Sequence, residues 1–226
     1  MARPAGLIIA IDGVVGAGKS STARGVAARL GYRHLDTGAM YRAVALAGMR
    51  AGVEPGDAQA LASLLAATHI ELLPAPQGGA VLVNGEDVSE AIRQPEVSRR
   101  VGAFADSALV RRALVPQQQR LGADGGVVAE GRDIASVVFP DAEVKIRLVA
   151  SLAARAQRRL RELTAKGVRT TLEQVTADIR RRDAEDAARD YGASGTARDV
   201  IELNTTGMTL DEQIERVVAL ARRHGA

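Results

Sequence analysis

A short apolar run, LIIAI at residues 7–11, leads almost directly into the glycine-rich stretch GVVGAGKSS at residues 13–21. Two glycines separated by four residues and followed by Lys19 and Ser20 form the pattern in which backbone N–H groups wrap phosphates at the start of a helix. The β-branched run predicts a buried strand, and residues 21–30 predict an amphipathic helix closed by a glycine. These features predict an α/β fold built around a phosphate-binding loop (P-loop).

Lys19 and Ser20 decide between a phosphate loop and an ordinary glycine-rich turn. A lysine and a hydroxyl at the start of a helix have no packing purpose, which disfavours the ordinary turn. In a phosphate loop, Lys19 reaches the β- and γ-phosphates and the Ser20 hydroxyl ligates the Mg²⁺ that bridges them. The sequence therefore predicts a nucleoside triphosphate site with Ser20 as its metal ligand.

Several further apolar runs have the length and composition of strands covered on both faces. Each is followed by a helical pattern or by a loop suited to phosphate. We therefore predict an α/β fold with a doubly wound, parallel, five-stranded sheet and helices on both faces. The predicted strands are Leu7–Ile11, Tyr32–Leu35, Val127–Ala129, Val144–Leu148 and Val200–Leu203.

Two insertions are expected in this single domain of residues 1–226, whose core comprises residues 1–36, 109–150 and 196–226. The first, residues 37–108, should contain a small antiparallel sheet at about residues 69–89, because Asn84-Gly85 is typical of a type I′ hairpin turn. The second, residues 151–195, is helical and rich in arginine and is expected to form a lid, with Gly192, Ser194 and Gly195 marking its return. Capping boxes are predicted at Thr170 with Glu173 and at Thr209 with Glu212.

Composition narrows the class of function. Only 2% of residues are aromatic and the net charge is +3. This composition disfavours a single-stranded nucleic-acid binder, because such proteins stack bases on aromatic side chains. The chain has no cysteine, and its three histidines lack the spacing of a metal cluster. No apolar stretch is long enough to span a membrane. We expect a cytoplasmic protein that does not bind nucleic acid, with a monomer as the default.

The loop after the predicted third strand suggests a second anion. Glu130 ends that strand and is a candidate for the acid that ATPases place there to hold Mg²⁺ indirectly, through the ligands of the ion. Arg132 and Asp133 follow it into the crevice where doubly wound sheets bind ligands. The alternative is a helix-capping Asp133 beside a surface arginine. The base-reading sequence Asn-Lys-x-Asp of GTPases is absent. A protein that transfers phosphate to a second anion is favoured over a GTPase.

Two further segments supply candidates for the second anion. Asp36 and Thr37 end the second strand, and Arg42 follows on the next helical turn. In the far insertion, Arg182, Asp186 and Arg189 recur at i, i+4 and i+7 and share one helix face, although an ordinary salt-bridged helix has the same pattern. Arg181 is interpreted as a solvated charge or a partner of Glu185, and His34 is interpreted as structural.

Fixed guanidinium groups would cancel the repulsion between two polyanions before they meet. If the acceptor is itself a phosphate, its second pKa is about 6, so it is largely ionised at neutral pH and no general base is needed.

Over nearly its whole length the chain resembles the bacterial cytidylate (CMP) kinases of the P-loop nucleoside monophosphate kinase group. The resemblance rests on segments in the order and spacing of that family: IDGVVGAGKSS, LDTGAMYRA, VNGEDVSEAIRQPEVS, VRRAL, EGRDIASVVFPDAEVKI, RRRDAEDAAR and LNTTGMTLDEQIERV. The third segment discriminates most, because it belongs to the extended monophosphate-binding insertion that short adenylate-type kinases lack. The resemblance implies Mg²⁺-dependent transfer of the γ-phosphoryl of ATP to CMP and dCMP.

The resemblance also implies a role for each matching residue. It places ATP on Gly13, Val14, Val15, Gly16, Ala17, Gly18, Lys19, Ser20 and Ser21. It places the CMP phosphate on Thr37, Arg42 and Arg132, and the cytosine on Arg111 and Asp133. Arg182 and Arg189 would clamp the phosphates during transfer, Asp186 would contact the sugar, and Tyr41 would form a wall of the pocket beside Asp36. Lys19, Arg132, Arg182 and Arg189 form the expected catalytic set.

Some positions depart from the family pattern. Gly102 stands where a serine that helps bind the base is expected, so one base contact is absent. Val14-Val15, Ala135, Asn204 and the lid's return also differ, but none removes a charge from the catalytic set. Two alternatives remain: a P-loop kinase for UMP or another small acceptor such as a sugar-like acid, and a basic P-loop protein that binds RNA and uses ATP as a switch.

Overall fold

The computed structural model describes residues 3–73, 79–165, 167–188 and 199–226. Its framework is a five-stranded parallel sheet with strand order β2-β6-β1-β7-β8, accompanied by a three-stranded sheet of order β3-β4-β5. The strands are β1 Ile8–Gly13, β2 Arg33–Asp36, β3 Ile70–Leu72, β4 Val81–Val83, β5 Glu86–Asp87, β6 Val127–Gly131, β7 Val144–Val149 and β8 Ile201–Asn204. The helices are α1 Lys19–Leu30, α2 Thr37–Ala51, α3 Ala58–Ala67, α4 Pro95–Asp106, α5 Ala108–Gly122, α6 Leu152–Ala165, α7 Leu172–Ala188 and α8 Leu210–Arg223.

The central strand β1 is buried on both faces, as its continuous apolar sequence predicts. Ile9 and Ile11 pack with residues of α1 and α8, whereas Ile8 and Ala10 pack on the opposite face against the π-helical turn Ile134–Val138. A strand covered on both sides needs no polar face, which is why the run does not alternate. The prediction of a parallel, doubly wound sheet is confirmed, and every strand begins and ends within two residues of its predicted bounds.

Residues of the first insertion pack in one buried cluster with α5, the helix that follows it in the chain. Met40 and Val44 of α2, Leu61 of α3, Phe104 of α4 and Leu114 of α5 lie in one buried cluster. The small antiparallel sheet predicted here is also present. Its hairpin between β4 and β5 turns at Asn84 and Gly85, which both have positive φ, 51° and 83°. A type I′ turn requires this conformation at both central positions, so the hairpin forms where the sequence predicts it.

The described part of the second insertion is largely helical, as predicted, with α6 at Leu152–Ala165 and α7 at Leu172–Ala188. Its helices α6 and α7 enclose a small core that includes Ala156, Val175 and Ile179. The predicted cap of α7 is one residue early: Thr171 Oγ1 accepts from the Gln174 N–H, and the Gln174 side chain accepts from the Thr171 N–H. Two consecutive threonines offer two possible registers, and the pattern of residues does not choose between them.

Some predicted positions lie outside the described residues. These are Arg189, and Gly192, Ser194 and Gly195 of the lid's return. Within the described residues no helix is both long and apolar enough to cross a membrane.

The predicted capping box of α8 is present. Thr209 Oγ1 accepts from the Glu212 N–H at 3.3 Å, and Glu212 accepts from the Thr209 N–H at 2.7 Å. Buried apolar residues of α8, among them Val217 and Val218, cover one face of the sheet. The cap therefore fixes the start of a helix on which the core depends.

Replacing Thr209 with alanine should lower the free energy of unfolding by about 1 kcal/mol, because the first turn of α8 loses its side-chain acceptor. The measurement is urea unfolding followed by far-UV circular dichroism. Thr164→Ala makes the same chemical change at an exposed position inside α6 and should be neutral or slightly stabilising, since alanine favours helix. Equal destabilisation by the two changes would show that the cap contributes nothing specific.

Candidate active site

The register of the parallel strands gathers the predicted site residues at one edge of the sheet. Asp12 on β1 lies opposite Gly131 on β6, and Asp36 on β2 lies opposite Glu130. The glycine-rich loop, the start of α2 and the loop that carries Arg132 therefore leave the sheet side by side. This is the crevice where ligands bind in open α/β sheets.

Three consecutive carbonyls of the glycine-rich loop accept hydrogen bonds from cations. Arg132 Nη1 donates to the Gly13 carbonyl at 2.7 Å, Lys19 Nζ to the Val14 carbonyl at 3.0 Å, and Arg155 Nη1 to the carbonyl of the next residue, Val15, at 3.2 Å. Each bond ties the loop to a different element. The loop is thus held in place by three positive charges before any phosphate arrives.

The loop also needs glycine where it leaves the sheet. Gly13 has φ 150°, and a Cβ there would lie 2.2 Å from the main-chain oxygen of Leu148 on β7. Gly18 caps α1 in the left-handed region, with φ 100°. The amino end of α1 follows directly, which is the arrangement that favours an anion. The two glycines and the helix start therefore have the arrangement that a phosphate loop requires, and the roles of the nine predicted loop residues stay predictions.

Lys19 sits in a cluster of opposing charges. Burial and the charge of Arg132 lower the pKa of Lys19 to about 7, while Glu130, Asp12 and Asp186 act against that shift. An anion placed at the loop would favour the charged amine in the same way as these carboxylates. The position of Lys19 fits its predicted role toward the phosphates of a nucleotide.

Ser20 and Glu130 bring two side-chain oxygens together at the start of α1. The Ser20 hydroxyl donates to Glu130 Oε2 at 2.7 Å. Among the described residues no group of three or more His, Asp or Glu side chains could hold a metal ion alone. Mg²⁺ is commonly held by one or two protein oxygens together with substrate phosphates, so this sparse hard-oxygen set fits it.

Asp12 has a structural role that sequence analysis did not predict. It is buried, and its two carboxylate oxygens accept from the N–H groups of Ile134 and Ala135 at 2.8 and 2.9 Å. Burial raises the pKa of Asp12, and these two hydrogen bonds oppose that shift. The side chain thus ties the end of β1 to the turn after Asp133. Its signal in the sequence is a lone carboxylate directly after an apolar run.

Asp36 and Thr37 begin α2. Asp36 Oδ1 accepts from the Ala39 N–H at 3.0 Å and caps the helix, and the buried Thr37 hydroxyl donates to the main-chain oxygen of Glu130 at 2.7 Å. Burial and the neighbouring Glu130 raise the pKa of Asp36. Both side chains therefore fix the geometry of the crevice, and their predicted contacts with a substrate stay predictions.

Arg42 is positioned by a serine that sequence analysis did not select. Its Nη1 donates to Ser98 Oγ at 2.8 Å and to the Ile92 carbonyl at 3.2 Å. Burial lowers the pKa of Arg42, and the charge of Arg182 on the lid helix α7 lowers it further. Tyr41, the preceding residue, is buried in the core of the first insertion. The structure thus brings arginines from the two insertions near one another.

The loop after β6 pairs with both insertions. Asp133 forms an ion pair with Arg111 of α5, and Arg132 Nη2 lies 3.1 Å from Asp186 Oδ2 of α7. Arg132 thus contacts the phosphate loop and the lid at once. The alternative, a helix-capping Asp133 beside a surface arginine, does not describe these contacts, because Asp133 makes no side-chain cap of the following turn.

Arg181 and Arg182 of the lid helix have different surroundings, as the helix spacing predicts. Burial lowers the pKa of Arg182 and Asp178 opposes that shift, while Arg159 and Arg132 add to it. Arg181 is half exposed and pairs with Asp178 and Glu185, which confirms its interpretation as a surface pair.

Arg155 of α6 was not identified from the sequence. It is buried, it donates to the Val15 carbonyl, and it forms a two-point ion pair with Asp183 of α7 at 2.9 and 2.8 Å. It therefore links the phosphate loop to the lid helix. Arg155 is hard to identify from the sequence because this insertion contains many arginines, and no spacing rule distinguishes one buried arginine from its exposed neighbours.

Comparison with known proteins shows which family this chain belongs to. Residues 9–223 match the family described as Cytidylate kinase. The chain belongs to the cytidylate kinase family. It is 46% identical to a cytidylate kinase of Geobacillus kaustophilus, covering 94% of this chain and 95% of that protein. It is 43% identical to one of Geobacter sulfurreducens, covering 96% and 93%.

A longer relative carries a second activity in its name. The chain is 50% identical to the bifunctional pantoate ligase/cytidylate kinase of Parasynechococcus marenigrum over 93% of its own length. It spans only 42% of that protein. The similarity to this relative therefore concerns a part of it.

Changing Asp12 to asparagine should destabilise this member of the cytidylate kinase family by about 1–3 kcal/mol, because one of two buried N–H groups would face an amide donor and lose its acceptor. The measurement is the urea midpoint of unfolding. Asp57→Asn is the matched control: Asp57 caps α3 through the Ala60 N–H, and asparagine caps a helix equally well. If Asp12→Asn unfolds at the same midpoint as the control, Asp12 does not hold the turn.

Proposed function

We propose that this protein transfers the γ-phosphoryl group of MgATP to CMP or dCMP, giving ADP and CDP or dCDP. The observation that carries the proposal is the contact of Arg132 with the Gly13 carbonyl at 2.7 Å, which sets an arginine suited to a second phosphate directly beside the phosphate loop. Membership of the cytidylate kinase family gives independent support.

The acceptor phosphate is assigned to the arginines that meet at the crevice. Arg42 and Arg132 come from the sheet side and Arg182 comes from the lid. Guanidinium groups suit phosphate binding because their planar donors match phosphate oxygens and their charge persists at neutral pH. Their backbone and side-chain partners fix them in advance, so little reorganisation is needed when two polyanions meet.

The reaction requires no base from the protein. An ionised oxygen of the acceptor phosphate attacks the γ-phosphorus, the bond from that phosphorus to the β–γ bridging oxygen breaks, and the electron pair leaves with ADP. When bound, Mg²⁺ neutralises charge on the β- and γ-phosphates. Ser20 and Glu130 would hold that ion, and Lys19 would balance the charge that develops on the bridging oxygen. The lid would exclude water that could otherwise accept the phosphoryl group.

Cytosine recognition is assigned to Asp133 and Arg111. A carboxylate accepts from the exocyclic amine of cytosine, and a guanidinium donates to its carbonyl oxygen. Uracil has an oxygen in place of the amine and would face the carboxylate unfavourably. The ion pair between these two side chains holds an acceptor and a donor side by side, which favours this assignment over a kinase for an unrelated acceptor.

The deciding experiment measures ADP formation from MgATP with CMP, dCMP, UMP, AMP or no acceptor at matched concentrations. We expect strong turnover with CMP and dCMP and weak turnover with UMP. Turnover that is independent of the acceptor would instead indicate an ATPase. RNA affinity that falls steeply with salt, together with no transfer to any nucleotide, would favour the ATP-switched RNA binder.

Arg182→Ala should lower kcat for CMP by at least about 10²-fold, because a fixed positive charge near the transferring phosphoryl group is lost. Arg181→Ala is the matched control on the neighbouring residue of α7, where the side chain is half exposed and pairs with Asp178 and Glu185. Steady-state kinetics with both proteins make the comparison. Equal losses in the two variants would remove Arg182 from the transfer step.

Asp133→Asn should reduce the preference for CMP over UMP, measured as the ratio of kcat/KM, by at least about tenfold. A carboxamide can donate to the uracil oxygen as well as accept from the cytosine amine, so discrimination by charge and polarity is lost. Asp106→Asn, at the end of α4, is the control for a general change of charge. An unchanged ratio in Asp133→Asn would place the base elsewhere.

A further inference from the structure

The buried carboxylate of Glu130 has a second partner besides Ser20. His34 Nε2 lies 2.9 Å from Glu130 Oε1, while the Ser20 hydroxyl donates to Glu130 Oε2 at 2.7 Å. One hydrogen-bonded chain therefore runs from β2 through the end of β6 to the first turn of α1. The side chain of Glu130 is only 4% exposed and that of His34 16% exposed, so water has little part in this chain.

The two carboxylate oxygens of Glu130 have separate partners. Ser20 lies at Oε2, and the imidazole of His34 lies at Oε1. A carboxylate oxygen accepts, and a neutral imidazole can donate through Nε2. His34 thus satisfies the one oxygen of Glu130 that Ser20 leaves.

The position of Glu130 requires such a donor. Asp36 lies opposite it on β2, and the two carboxylates repel each other. The main chain of Glu130 is already fixed, because its carbonyl accepts from the Thr37 hydroxyl at 2.7 Å. What remains free is the rotation of the carboxyl group, and the His34 bond sets that rotation so that Oε2 faces Ser20.

We propose that His34 is a positioning residue for the magnesium site: it orients Glu130 so that Ser20 and Glu130 Oε2 present their oxygens together to the metal of MgATP. The inference deepens the proposed function and rests on it. His34 itself touches neither Ser20 nor the predicted phosphate positions. Groups that orient a metal-binding side chain change metal affinity by about 10- to 100-fold when they are removed.

The test compares nucleotide affinity with and without magnesium. Isothermal titration calorimetry measures the Kd of ADP in Mg²⁺ and in EDTA for the wild type, His34→Leu, His34→Asn and His34→Gln. Leucine removes the donor, and asparagine is too short to place its nitrogen where Nε2 lies. Glutamine carries a nitrogen at about the reach of Nε2. The matched control is His69→Leu, a mostly exposed histidine beside the small sheet.

We expect Mg²⁺ to strengthen ADP binding by the wild type and by His69→Leu, and this gain to fall by about tenfold in His34→Leu and His34→Asn. His34→Gln should recover most of the gain, and the Kd in EDTA should stay nearly constant. His34→Asn keeps a polar side chain, so it carries the test if His34→Leu does not fold. If the role of His34 is purely structural, its replacement lowers the free energy of unfolding but leaves the ratio of the two Kd values unchanged.

Two results would overturn the proposal, and they have different consequences for the assignment of the metal site. If Mg²⁺ strengthens ADP binding equally in the wild type, His34→Leu and His34→Asn, His34 does not position the metal site, although the proposed function stands. If Mg²⁺ leaves ADP binding by the wild type unchanged, the assignment of Ser20 and Glu130 to the metal fails, and the role of His34 fails with it.

Discussion

The in-register parallel pairing of β1, β6 and β2 is the constraint on which the site depends. It ends the three strands at one edge, with Glu130 and Asp36 opposite each other and Asp12 one register position further along, opposite Gly131. Each carboxylate then has its own structural role, since Asp12 holds the turn after Asp133, Glu130 bonds to Ser20, and Asp36 caps α2. A slip of one residue in either pairing would turn these side chains to the other face of the sheet and separate the loops.

The framework is predictable from the sequence because its signals are local. Continuous apolar runs, the glycine-rich loop, the Asn84-Gly85 turn and the Thr209 cap each depend on residues adjacent in the chain. Most of the features that sequence analysis did not predict depend on residues far apart in the chain. The importance of Asp12, Ser98 and Arg155 lies in partners from other elements. The cap of α7 is a local exception, because two consecutive threonines precede the helix and the one that caps it is Thr171. The sequence indicates no more than a structural role for His34, since its partner Glu130 is 96 residues away.

The lid is joined to the core through charge and through a small apolar core. Arg132 with Asp186 and Arg155 with Asp183 tie α7 to the phosphate loop, and Val15 of that loop packs beside the cluster of Val175 and Ile179. Partly buried ion pairs of this kind gain little net stability, because desolvation offsets much of the attraction. Their value lies in geometry: they fix the lid helix relative to the loop that would hold the nucleotide.

The same pairs explain how so many cations can be gathered in one crevice. Unpaired, Lys19, Arg132 and Arg155 would repel one another at a partly desolvated loop. Instead, the three cations donate hydrogen bonds to loop carbonyls, and the carboxylates of Asp12, Asp183 and Asp186 balance their charges. These contacts offset the repulsion between the cations. A phosphate entering the crevice would meet donors whose directions are already set by these carbonyls and carboxylates. Electrostatic stabilisation then requires little movement of the protein when the phosphoryl group transfers.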